Sequence, residues 1–298
     1  MFETLKNVFR VKEMRRKLLY LIWMIFVIRI GCQIPVPGVD SDFFKQWFSS
    51  NAGDAFNFFD AFTGGSFERM SIFALNITPY ITSSIIIQLL TIAIPALEEM
   101  QRDGEEGRKK MTAITRYVTV GLALFESIAM AIGFGRQGMI PNLDFFKGVV
   151  VVACLTAGSA MLMWLGERIT EKGVGNGISI VLTINIISRV PSDLTLLYEN
   201  FIKGKTIAKG TLAGLIIAAV ILLVVVLVLI LNGAERRIPV QYSKKMVGRK
   251  LMGGQSTNIP LKVNTAGVIP VIFASSIMSF PAVIAQLTGK GNGTGIGS

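Results

Sequence analysis

Side chains able to make or break a covalent bond are scarce in these 298 residues, and none has an evident partner to activate it. There is no histidine, which removes most zinc sites, serine-histidine pairs and histidine proton relays together. The two cysteines, Cys32 and Cys154, stand in or beside apolar runs and offer neither a metal-binding spacing nor a disulfide framework, so they read as packing residues. Gly173, Gly175 and Gly177 complete neither a dinucleotide nor a phosphate-loop spacing and read as a tight turn. Gly204-Lys205-Thr206 ends like a phosphate loop, but Glu199 occupies the place of the required first glycine. Arg29 and Glu126 lie within apolar runs with no visible counter-ion. With no nucleophile-base constellation left, an enzyme is not expected, and no metal or cofactor is implied.

The elements that hold these residues belong to a membrane chain. Hydrophobic residues make up 51% of the sequence and charged residues only 16%. The formal charge of +11 fits cytoplasmic loops held by the positive-inside bias better than nucleic-acid binding, since no aromatic-basic RNA motif accompanies it. Contact of one loop with ribosomal RNA stays open.

One stretch, 59–95, fits neither lipid nor water. It exceeds the roughly 20 helical residues that cross a bilayer, yet it carries Asn76, Thr78, Pro79, Tyr80, Thr82, Ser83, Ser84, Gln88 and Thr91. Its first part, 59–71, has a Gly64-Gly65 break and a Glu68/Arg69 pair that is costly in lipid. It reads as a short re-entrant helix that dips in and returns. Irregular backbone at membrane depth is tolerated only where protein or an aqueous cavity faces it, so a pore or cavity wall is expected here.

The run FDAFTGGSFERMSIFALNITPYITSSIIIQLL resembles the plug and second transmembrane helix of the SecY family, the central subunits of bacterial protein-export channels. RIGCQIPVPGVD resembles the end of that family's first helix. WLGERITEKGVGNGISIVLTINIISRVP, residues 164–191, resembles the turn between its fourth and fifth, and AGVIPVIFASSIMSFP its seventh. The resemblance implies an all-α polytopic membrane fold: seven transmembrane helices and the plug helix, or half of the family's clamp with part of the second half. Residues 1–191 would form the first five-helix half, and 192–298 the start of the second, with a basic cytoplasmic loop at 233–264.

Expected spans are 18–34, the polar second span, 117–134, 149–165, a fifth ending near Pro191, 212–231 and 266–287. The uncharged run 212–231 is the least ambiguous. Residues 40–57 read as an external loop, and the mixed-charge segment after Pro95 as a solvated cytoplasmic turn. Gly253-Gly254 reads as a turn within the basic loop. Cations support this order. Lys6, Arg10, Lys12, Arg15, Arg16 and Lys17, then Arg102, Arg108, Lys109, Lys110 and Arg116, then Arg236, Arg237, Lys244, Lys245, Arg249, Lys250 and Lys262 fall on one side. Opposite lie Lys45, Arg69, Arg136, Lys147, Arg189, Lys203, Lys205 and Lys209. The bias places the N-terminus in the cytoplasm.

Residue-by-residue matching to the family implies a pore constriction of Ile77, Ile81, Ile186, Val268 and Ile272. An apolar ring of this kind can exclude water and ions by dewetting. The plug would use Phe59, Phe62, Gly64, Gly65, Phe67 and Arg69, and the lateral gate Gln88 and Asn264. Arg236, Arg237, Lys244, Lys245, Arg249 and Lys250 would meet cytoplasmic partners. The implied partners are SecE and SecG subunits, the SecA motor and the ribosome, signal peptides and unfolded polypeptides, and membrane lipid. The implied place is the bacterial inner membrane. A secondary transporter is the rival reading, because broken helices also mark transporters.

Overall fold

The computed structural model describes residues 11–41, 43–46, 60–136, 138, 140, 144–201, 203, 207–240, 245–247, 250–252, 257–265, 267 and 274. Two compact units separate at Pro191 and Ser192.

In the first unit, helix α1, Lys12–Gly31, begins inside the basic tail rather than at Leu18. Glu13 in its first turn suits the positive helix end and pairs with Lys17 at 3.3 Å, one turn on. Past Gly31, Pro35 and Pro37 prevent continuation. Residues 41 and 43–46 are helical, where the sequence reads as loop.

Helix α2, Thr78–Ala93, carries Pro79 in its first turn, where no donor is needed. Ile94 is extended, as a residue before proline must be, and α3, Pro95–Arg102, leaves at 104° to α2. Helix α4, Gly104–Arg136, follows after one residue. The mixed-charge segment expected as a solvated turn is therefore mostly helical. Its charges explain why: Glu98 leads α3 and Arg102 ends it, joined by a 2.6 Å bond, while Glu105 and Glu106 open α4.

Helix α5, Phe145–Lys172, is capped by the Asp144 carboxylate, which accepts from the Phe145 N–H at 2.8 Å. Gly173 closes it, and Gly175 turns the chain at φ +78°. Gly177 then opens α6, Gly177–Phe201, where an added Cβ would lie 2.0 Å from the Gly166 carbonyl. This glycine run is a close α5–α6 turn, as its spacing implied. Helix α6 does not end at Pro191 but passes through it to Phe201. A proline inside an apolar helix is tolerated when neighbouring groups satisfy the carbonyl it frees.

Helix α7, Ile207–Gly233, has an apolar run exposed along its length. Strand β1, Glu235–Val240, pairs antiparallel with β4, Thr257–Lys262, and β2, Lys245–Val247, with β3, Lys250–Met252. The inner reversal falls between Val247 and Lys250, ahead of Gly253-Gly254, which lies outside the described residues.

Among the described residues, four helices are long and apolar enough to cross a membrane: α4, α5, α6 and α7. The bent α2–α3 pair makes up to five. Helix α1 has the length, 20 residues, but carries Arg15, Arg16, Lys17 and Arg29. The expected seventh span, 266–287, lies almost wholly outside the described residues.

Candidate plug seat

The segment between α1 and α2 is not the helix its sequence suggests. Residues 60–63 form one helical turn, and turns continue to Ile77; Phe59 lies outside the described residues. Two left-handed glycines, Gly64 at φ +67° and Gly65 at φ +80°, end the helix. Met70 and Asn76, at φ +44° and +52°, adopt the same region despite their side chains.

Asp60 organises this segment. Its carboxylate accepts from the Glu68 N–H at 2.9 Å and the Thr63 hydroxyl at 3.2 Å, and its carbonyl accepts from the Gly65 N–H at 3.3 Å. Thr63 in turn accepts from the Phe67 N–H at 3.2 Å. These bonds give backbone groups partners that a helix would have supplied. Asp60 is fully buried and forms an ion pair with Arg189 of α6, whose side chain is 22% exposed.

A second polar pair lies beside it. The Asn185 amide of α6 donates to the Asn76 side-chain oxygen at 3.0 Å, and the Asn76 amide donates to the Phe62 carbonyl at 2.9 Å. The Ser159 hydroxyl of α5 reaches the Asn76 carbonyl at 3.3 Å. Both asparagines are buried. Gly64 is required by the same contact, since a Cβ there would sit 2.6 Å from the Asn185 carbonyl and 2.8 Å from the Ser188 hydroxyl.

Apolar packing seats the other side. Phe67 meets Phe44 edge-on at 5.8 Å, and Phe44 meets Phe134 of α4 edge-on at 5.0 Å. Val36 N–H donates to Met70 and Ile72 N–H to Ile34, tying the segment to the chain leaving α1. Arg69 is exposed and donates to Gln33. Gly158 lets α5 approach the backbone here: a Cβ would fall 2.0 Å from the Ile72 carbonyl.

Of the expected ring residues, Ile77 is 0% exposed, packed with Ile28, Phe73, Leu162 and Val181. Ile81, one turn on, is partly buried against the same cluster. Ile186 is 42% exposed. Val268 and Ile272 lie outside the described residues. Ile77 and Ile81 thus share one apolar cluster, and Ile186 stands exposed.

Phe62, Gly64 and Gly65 are half-buried, and Phe67 is buried. Gln88 is exposed on α2; Asn264, in the second unit, accepts from the Gly267 N–H at 3.1 Å. Arg236 and Arg237 are exposed on β1, Lys245 lies on β2 and Lys250 on β3; Lys244 and Arg249 lie outside the described residues. Asp60, Asn185 and the pairing of Arg189 were missed from sequence. An isolated arginine in the apolar run NIISRVP was the available signal.

The SecY family model matches residues 71–296. The protein translocase subunit SecY of Halalkalibacterium halodurans is 45% identical over 97% of this chain, which spans 68% of that relative. Among solved structures, one of a protein conducting channel aligns with a TM-score of 0.61 at 19% identity, over 93% of this chain and 59% of its own. A second, on the plug domain of a SecY protein, aligns at 0.57 with 20% identity over 93% and 58%. These two likenesses concern the fold, whereas the family rests on the family model and the relative. The chain belongs to the SecY family of protein translocase subunits, a family of channels rather than enzymes.

Proposed function

We propose that this chain builds part of the wall of a protein-conducting channel, through which unfolded polypeptides cross a membrane and apolar segments leave sideways into lipid. The observation that carries the reading is the turn-rich segment 60–76, in which Asp60, Thr63 and Asn76 find hydrogen-bond partners in α5, α6 and the segment itself, beside long apolar helices. A plain helical bundle has no need of such a segment. The plug domain of a related SecY protein is described as stabilising the closed state and maintaining a membrane seal. By that likeness, 59–71 is the plug here.

Ile77, Ile81, Ile186, Val268 and Ile272 are assigned to the constriction, with buried Ile77 fixing the direction of Ile81 one turn along. Gln88 and Asn264 are assigned to the lateral gate, on resemblance. Arg236, Arg237, Lys244, Lys245, Arg249 and Lys250 are assigned to contact with the SecA motor or with ribosomal RNA, whose phosphates their charge would attract. SecE and SecG are the expected neighbours within the membrane. The cation distribution supports an N-terminus in the cytoplasm, and likeness to a bacterial SecY supports a place in the bacterial inner membrane.

The test uses the channel completed with the helices that its relatives possess. Ile81→Asn should wet the constriction, admit chains with poor signal sequences and leak ions; unchanged stringency and tightness would remove Ile81 from the ring. Arg249→Glu should weaken motor-driven export without altering membrane insertion. Equal export would reduce the basic loop to a topology signal.

A further inference from the structure

We propose that Arg189, through its buried ion pair with Asp60, is a positioning residue that latches the plug to α6 and sets how readily the channel opens. The inference rests on the plug reading and adds to it the side of the seat that holds.

Two sets of contacts meet in the segment. Asp60 bonds with Thr63, Gly65 and Glu68, so these links lie within the segment and travel with it. The Asp60–Arg189 pair and the approach of Gly64 to Asn185 and Ser188 join it to α6, and must break if it leaves. Asn76 stands at the junction, holding the Phe62 carbonyl on one side and Asn185 on the other.

An ion pair suits a fastening that must release. Two buried charges are expensive to desolvate, and apolar groups of the same size often hold a permanent contact at least as well. When the segment moves into an aqueous space, however, Asp60 and Arg189 regain hydration, whereas an apolar contact would lose more by exposure. Removing one partner takes away the charge-assisted contact that the other makes across the seat, so either single loss should loosen it. Ile186 and Arg189 are three positions apart on α6 and therefore neighbours on its surface. A polypeptide pressing on exposed Ile186 would disturb Arg189 directly.

The chain supplies its own reporter. Cys32 is buried, with the Ser66 side chain of the segment beside its thiol. In the completed channel carrying Cys154→Ala, Cys32 labelling by a membrane-impermeant maleimide should be slow at rest and rise when a secretory chain is stalled in transit. Asp60→Asn and Arg189→Gln should each raise the resting rate about tenfold, the scale of one lost charge-assisted bond. The double variant should add little to either single, and Asp60→Glu should restore the rate to within about twofold. A parallel set carrying Cys32→Ala, Cys154→Ala and Thr119→Cys, a buried position within α4, should show no change at position 119. If Asp60→Asn fails to accumulate in the membrane, Arg189→Gln decides. A stalled chain that leaves Cys32 protected would overturn the plug reading itself. A stalled chain that exposes Cys32, with resting rates unchanged in both single variants, would overturn the latch alone. Equal rises at Cys32 and position 119 would replace it with general loosening.

Discussion

Helix α7 and segment 60–76 meet one difficulty, backbone polar groups with little water to bind, in opposite ways. Helix α7 satisfies every interior group within its own ladder, so its side chains need only be apolar, and nearly any apolar residue serves. Segment 60–76 has almost no ladder. It borrows partners from Asp60, Thr63, Asn76, Asn185 and Ser159, each at one position and one distance. Regular structure therefore tolerates substitution, and irregular structure is specified atom by atom. The second kind is held in place by separate contacts to its surroundings rather than by a ladder, so it can be unseated by breaking them.

The sharpest break of that comparison is Gly64→Val. A branched side chain meets both the positive φ and the Asn185 carbonyl, which together should cost about 3 kcal/mol or more. Limited proteolysis in membranes should show 60–76 exposed while α7 stays protected. Leu222→Arg should come next, disfavouring membrane insertion of α7 by roughly 3 kcal/mol, read by the fraction of the span integrated. Asn185→Ala leaves the Asn76 side chain without its α6 donor and should destabilise the seat by about 1–3 kcal/mol, read as a lower melting temperature in detergent. Val224→Ile, at the small end, should stay within about 0.5 kcal/mol; a larger effect would mean that α7 faces a specific partner rather than lipid.

Sequence made visible what depends on composition and local order. The run behind α7 and the glycine turn before α6 were both legible, because hydropathy and glycine spacing act over neighbouring residues. Helix α3 and the first part of α4, ahead of the expected span 117–134, were hidden under their charges, though Glu98 with Arg102, and Glu105 with Glu106, carry the end preferences of helices. Pro191 misled for a physical reason: its rule assumes water or a chain end beyond it, and α6 continues instead. The expected plug helix, 59–71, is a single helical turn at 60–63 in its described part, because Gly64-Gly65 end it there. Asp60 and Arg189 lie too far apart in sequence for any periodicity to join them. Ile77 is buried because Gly31 brings α1 close to Phe73, a Cβ there falling 2.0 Å from its ring. No pattern in the second helix alone reports that.

The central claim is that this chain lines the path of a polypeptide. The most direct measurement places cysteine at Ile186 in the completed channel, stalls a secretory chain in transit and identifies what crosslinks. The account predicts that position 186 joins the stalled chain, while cysteine at Phe62 moves away from the constriction during transit. Absence of any crosslink from position 186 to the stalled chain would contradict it.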